Sequence, residues 1–231
     1  MGGRQSVNHI LENAPQPIPL NKLKFLAENA PKSICLVETE TCTGSAGLYC
    51  FKEIIGTYYV FITCQHVLAQ NQVLSAKFHF EGFEKFKLLS DWIGHISSQP
   101  KENGDFTVIE LKQAAINFLI NNGATFLKFT SPRTEDQIII IQYPEGKLSF
   151  GHGAIQDIEG FTLKYYAATA NGSSGSPLLL WNGDAVGMHK GREESHPSQN
   201  QKIGPQRLAT CITEIIRYFL VDLHMKYLKF I

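Results

Sequence analysis

Asn171-Gly172-Ser173-Ser174-Gly175-Ser176-Pro177-Leu178-Leu179-Leu180 starts as a turn, ends as a strand, and constrains the fold more tightly than any other stretch of the chain. Glycines on both sides of Ser174 let the backbone turn sharply and approach another group closely. After the apolar run come Trp181-Asn182-Gly183-Asp184 and Ala185-Val186-Gly187-Met188, which read as a hairpin turn and a returning strand. A Gly/Ser-rich turn by itself is only a turn. Set directly before a buried β-hairpin, it places a serine hydroxyl on a rigid element. A nucleophilic serine needs that exposure, and it needs two backbone N–H groups to hold a developing oxyanion. Gly172 and Ser174 supply that pair in this reading.

Working outward, the same texture recurs. Short apolar runs rich in β-branched and aromatic residues fall at 33–37, 47–51, 58–63, 77–80, 106–111, 137–142, 162–167, 177–180 and 185–188, separated by Gly, Asn and Asp turns. Many short strands at this spacing predict an all-β barrel or sandwich. A polar, turn-rich stretch near residues 117–134 lies about midway and reads as a seam. Residues 1–32, with Pro15, Pro17 and Pro19, read as an N-terminal arm. The expected units are then a first barrel over 33–120, a second over 121–205 and a closing helix over 206–231, packed on the second barrel. That helix is predicted from Leu208, Ile212, Ile215, Phe219, Leu223 and Tyr227, which recur at steps of three and four.

Two other segments carry side chains that complete a site around Ser174. Tyr59-Val-Phe-Ile-Thr-Cys-Gln-His66 is an apolar strand ending at Thr63, with His66 in the turn after it. Of the eight histidines, His66 and His189 have the most suggestive context. Asn103-Gly104-Asp105 leads into Phe106-Thr-Val-Ile-Glu-Leu, so Asp105 stands at the start of a strand. An acid there is commonly a turn residue or cap. Beside a histidine it orients the imidazole and stabilises the imidazolium. Asp91 is a weaker candidate, because no comparable strand follows it.

The order His, Asp, Ser, each at a strand edge, is that of chymotrypsin-like β-barrel proteases. The sequence resembles that superfamily in four blocks. Ile-Thr-Cys-Gln-His66 resembles its "(I/L)-T-A-x-H" block, and Asp105-Phe-Thr-Val-Ile-Glu-Leu its "D-(I/F)-A-(V/L)-(L/I)-x-L" block. Gly172-Ser-Ser174-Gly-Ser-Pro resembles "G-(D/N/S)-S-G-(G/S)-P", and Thr43-Gly44-Ser45-Ala46-Gly47-Leu48 resembles the "G-S/T-G-F" strand. The resemblance spans roughly residues 33 to 225. It implies two six-stranded antiparallel Greek-key barrels with the active site between them. It also implies a catalytic triad of His66, Asp105 and Ser174, an oxyanion hole from Gly172 and Ser174, a polypeptide substrate, and no metal or organic cofactor.

Secreted digestive members carry an aspartate before the nucleophile, which pairs with a new N-terminus freed by cleavage. Ser173 stands there, so folding to an active form without zymogen cleavage is expected. Gly-Ser-Ser-Gly-Ser-Pro followed by Val-Gly-Met-His189 resembles intracellular trypsin-like peptidases of animals and bacterial glutamyl endopeptidases. By that resemblance Ala168, Thr169 and His189 border the primary specificity pocket. Ala168 argues against a Lys or Arg at P1, the substrate residue before the cut. Thr169 and His189 leave Glu or Gln and an apolar side chain both open.

Composition sets the wider frame. Of 231 residues, 43% are hydrophobic and 18% charged, enough apolar material for a sizeable core. Lys plus Arg and Asp plus Glu are 21 each, so no global basic field draws in nucleic acid or an anionic membrane. The cysteines, Cys35, Cys42, Cys50, Cys64 and Cys211, are odd in number and contain no CxxC pair, which argues against a structural metal site and for reduced thiols. No apolar run of signal-peptide length opens the chain, and a cytoplasmic, non-secreted protein is expected. Met1-Gly2-x-x-x-Ser6 fits the N-myristoylation pattern on Gly2, though its few fixed positions also match by coincidence. One such chain would give only weak, reversible membrane attachment. Two rival readings stand beside the peptidase: a pseudoprotease that keeps the fold as a binding scaffold, and a protease whose main substrate is itself.

Overall fold

The computed structural model describes residues 20–54, 56–192 and 206–228. Strands β1 (Ile34–Glu38), β2 (Thr43–Glu53), β3 (Gly56–Thr63), β4 (Lys77–Phe80), β5 (Ile93–Gln99) and β6 (Phe106–Leu111) pair antiparallel in the order β4-β1-β2-β3-β6-β5. Strands β7 (Gln137–Gln142), β8 (Ser149–Glu159), β9 (Thr162–Ala167), β10 (Pro177–Leu179), β11 (Ala185–Arg192) and β12 (Arg207–Cys211) close into a barrel in the order β10-β11-β12-β9-β8-β7. Helix α1 (Leu20–Asn29) precedes the first sheet, α2 (Gln113–Asn121) leads out of it, and α3 (Ile212–Leu228) ends the described chain. This is the chymotrypsin-like architecture that the motif order implies.

The two halves share a core because the strand period is two. On β7, Ile138 and Ile140 face the interior of the closed barrel, with Ile155, Leu163, Tyr165, Leu178 and Val186. Ile139 and Ile141, on the opposite face of that strand, join the larger cluster built on the first sheet. Leu179, Ala185 and Met188 do the same from β10 and β11. The seam between the halves is thus apolar and continuous.

The C-terminal expectation needs two corrections. The helix begins at Ile212, and residues 207–211 form β12, paired with β9 and β11. Leu208 fitted the helical stripe by spacing alone, whereas the two ladders on either side of Arg207–Cys211 satisfy its backbone as a strand. The second unit therefore extends beyond residue 205. The helix also packs on the first sheet rather than on the second barrel alone: Ile212, Ile215, Ile216, Phe219 and Leu223 belong to the larger cluster, and Phe219 meets Phe51 and Tyr58 edge-on. At the other end, residues 20–29 of the expected arm are helical, and the stretch read as a seam starts inside α2.

Candidate active site

His66 lies in the turn after β3, Asp105 directly before β6, and Ser174 in the turn before β10. Asp105 is 1% exposed and holds His66 at two points. Its Oδ2 lies 2.6 Å from His66 Nδ1, and its Oδ1 accepts the His66 backbone N–H at 3.1 Å. An ionised carboxylate only accepts, so the proton of a neutral His66 ring sits on Nδ1 and Nε2 presents a lone pair. Asp105 takes a positive φ of 57°, a conformation costly for a non-glycine residue and found where surrounding structure enforces it. Its N–H donates to Pro100 O at 3.0 Å, and Thr210 Oγ1 on β12 bonds the preceding carbonyl of Gly104. Both halves of the molecule thus fix the acid.

Ser174 is held from the first sheet. Ser45 N–H donates to Ser174 O at 2.7 Å, while the Ser45 hydroxyl donates to Gly172 O at 3.0 Å and accepts from Tyr143 N–H at 3.2 Å. Thr63 Oγ1 donates to Ser45 O at 2.7 Å. Gly175 has φ 88°, and a Cβ there would stand 1.8 Å from Ser45 O, so only glycine lets the serine turn seat on this strand. A Cβ on Gly44 would meet both Val67, next to His66, and Ser174 O. The histidine turn and the serine turn therefore flank the same two residues, Gly44 and Ser45.

The peptide planes around Ser174 are set by their carbonyls. Asn171 O accepts from Glu145 N–H at 2.9 Å, and Ser173 O from Ser176 N–H at 3.0 Å. In a trans peptide the N–H points opposite to the C=O. The Gly172 and Ser174 N–H groups therefore turn away from these anchors, and among the described residues neither has an acceptor. Gly172 reaches this geometry at φ 95°, where a Cβ would strike Tyr143 O. Ser173 is fully buried and ties its own turn: its hydroxyl accepts from Ala170 N–H at 3.0 Å, and its N–H donates to Ala170 O at 3.1 Å.

Beyond the serine turn, Ala168 is exposed, Thr169 half-buried and His189 buried. His189 Nδ1 shares a 2.6 Å hydrogen bond with the Tyr165 hydroxyl. Burial, then the nearby Arg207 guanidinium, pushes His189 down to about 3, so the ring is neutral at physiological pH. Its backbone clamps the site as well: His189 O accepts from Gly175 N–H at 2.8 Å and from the Cys64 thiol at 3.1 Å. Cys64, His66 and Asp105 bring ligand atoms within 4.8 Å of one another, the usual raw material of a metal site. Here those donors are already engaged with each other and with His189 O, and burial raises the Cys64 thiol well above its ordinary value. The cluster is a hydrogen-bonded support rather than an open ligand set.

Four residues of this region were not singled out by the sequence: the Ser45 hydroxyl, Glu145, Tyr165 and Arg207. Ser45 stood inside a recognised block, but its partners lie far along the chain. Arg207 had a readable signal, a charge alternating with Ala209 and Cys211, which only a strand reading of 207–211 reveals. Gly2 lies outside the described residues.

Two antiparallel six-stranded units, with an acid–histidine pair on one and a glycine-flanked serine on the other, define the class of two-barrel serine hydrolases. The trypsin-like peptidase domain matches residues 49–188, and the chain belongs to that family; its activity is that of a serine endopeptidase, a hydrolase of peptide bonds. The fold is shared with solved structures of low identity. The Rv3671c protease of M. tuberculosis, in an inactive form, is 16% identical with a TM-score of 0.60 over 88% of this chain and 94% of that one. The serine protease domain of the Sesbania mosaic virus polyprotein is 19% identical with a TM-score of 0.60 over 81% and 92%.

Proposed function

We propose that the chain is an intracellular serine endopeptidase that works through Ser174, His66 and Asp105 and folds active without zymogen cleavage. The two-point hold of Asp105 on His66 carries this reading. With Nδ1–H given to Asp105, Nε2 takes the Ser174 hydroxyl proton as Oγ attacks the scissile carbonyl. The Gly172 and Ser174 N–H groups hold the oxyanion. His66 then protonates the leaving amine, and the acyl group on Ser174 is released by water through the same steps in reverse. No metal or cofactor enters this sequence of proton transfers.

Independence from zymogen cleavage is supported by Ser173, whose own hydroxyl bond to Ala170 closes the turn that a buried aspartate and a new N-terminus close elsewhere. An intracellular setting is supported by five free cysteines, of which Cys35, Cys64 and Cys211 are buried. Myristoylation at Gly2 rests on the sequence pattern alone. The test is kinetic: Ser174→Ala should abolish hydrolysis of a casein-derived peptide mixture with the fold intact by circular dichroism. Unchanged turnover in that variant would remove Ser174 from the mechanism.

A further inference from the structure

Arg207 is a charge placed on the inward face of a barrel strand. Partners directly opposite in an antiparallel ladder lie on one face. Arg207 pairs with Tyr165 and Ala209 with Leu163 across β9, and His189 pairs with Ala209 across β11. Tyr165, Leu163 and Ala209 line the interior of the closed barrel, so Arg207 points to that side at the barrel's end. Its Nη2 reaches Thr169 O at 3.4 Å, on the segment five residues before Ser174. Its Nε is buried without a hydrogen-bond partner among the described residues, and no carboxylate there pairs with it.

A second cation stands against it. Arg192 on β11 is the cross-strand partner of Arg207, and like charges directly opposite repel unless an anion joins them. Among the described residues, the other side chains nearby do not serve that purpose. Tyr165 and His189 are bonded to each other, and Lys190 Nζ turns away to Thr162 Oγ1. A guanidinium, always charged and forked, fits a carboxylate better than an amide or an apolar group.

We propose that Arg207 binds the side-chain carboxylate of an acidic P1 residue, making this a peptidase that cuts after Glu or Asp. The proposal rests on the serine peptidase reading above and settles its open specificity. His189 is then a positioning residue, holding the pocket wall and the Gly175 turn rather than selecting charge.

The test is digestion of a proteome-derived peptide library by the full chain, with fluorophosphonate labelling of Ser174 in parallel. Glu and Asp should dominate P1. Arg207→Gln should lower kcat/KM on a fluorogenic P1-Glu peptide about 100-fold or more, and on the matched P1-Gln peptide less than about threefold. Arg207→Lys should retain part of the acidic preference, which guards against misfolding of the Gln variant. His189→Gln should lower both substrates alike. A labelled, active enzyme that cuts after amide or apolar residues, with the same ranking in Arg207→Gln, overturns the role of Arg207 and leaves the peptidase reading standing. A folded wild type that neither labels nor cuts overturns the peptidase reading, and the specificity proposal falls with it.

Discussion

Asp105 orients a ring with one oxygen and a backbone with the other, so its replacement should act on chemistry more than on binding. Asp105→Asn keeps the shape but offers Nδ1 a donor, favouring the wrong tautomer. We expect kcat to fall by about 10⁴ with KM little changed. Ser45 acts at one remove. Its hydroxyl spans Gly172 O and Tyr143 N–H in a fully buried setting, so Ser45→Ala leaves both unpaired. Stability should drop by about 1–3 kcal/mol in urea unfolding, and a peptide-boronate transition-state mimic should bind more weakly. His189 sets a pH dependence. Unfolded, its imidazole takes a proton below the ordinary value of 6.5, whereas in the fold it does so only near 3. Stability is therefore full above pH 6.5, falls by up to about 1.4 kcal/mol per pH unit on acidification toward 3, and levels off below. His189→Gln should flatten that slope; an unchanged slope would place the acid sensitivity elsewhere.

Elements explain what was and was not legible in the sequence. The ends of β4, β6, β7 and β9 coincide with the apolar runs, because each strand carries buried aliphatic or aromatic residues between polar or turn-forming neighbours. Strands β5 and β8 were missed: in Ile-Gly-His-Ile-Ser-Ser-Gln and Ser-Phe-Gly-His-Gly-Ala-Ile, glycine and polar residues interrupt the apolar run. Strand β12 was hidden inside a helical period. With it went Arg207, whose inward orientation depends on alternation along that strand. The proposed triad of His66, Asp105 and Ser174 was readable because each residue sits where a recognisable strand begins or ends. The contacts that hold them, from Ser45 and Glu145, arise only when distant segments meet. The helix α3 carries its own prediction. Phe219 is fully buried against rings of β2 and β3, and Phe219→Ala should cost about 3–5 kcal/mol in chemical denaturation. A loss below 1 kcal/mol would mean the helix is not anchored on the first sheet.

Across the whole molecule, the candidate site is a product of the seam. The first sheet supplies His66, Asp105 and the Ser45 clamp, while the second barrel supplies Ser174 and the Thr210 bond to Gly104 O. Because one apolar cluster draws residues from both, the described chain should unfold in a single transition by calorimetry, with labelling of Ser174 lost at the same temperature. The measurement that bears most directly on the assignment is reaction of the purified protein with a fluorophosphonate, read by peptide mass spectrometry beside Ser174→Ala and Asp105→Asn. Label confined to Ser174, lost in the first variant and strongly slowed in the second, is the expected result. A folded wild type that takes no label, or takes it equally with Asp105→Asn, would contradict a triad built on Asp105, His66 and Ser174.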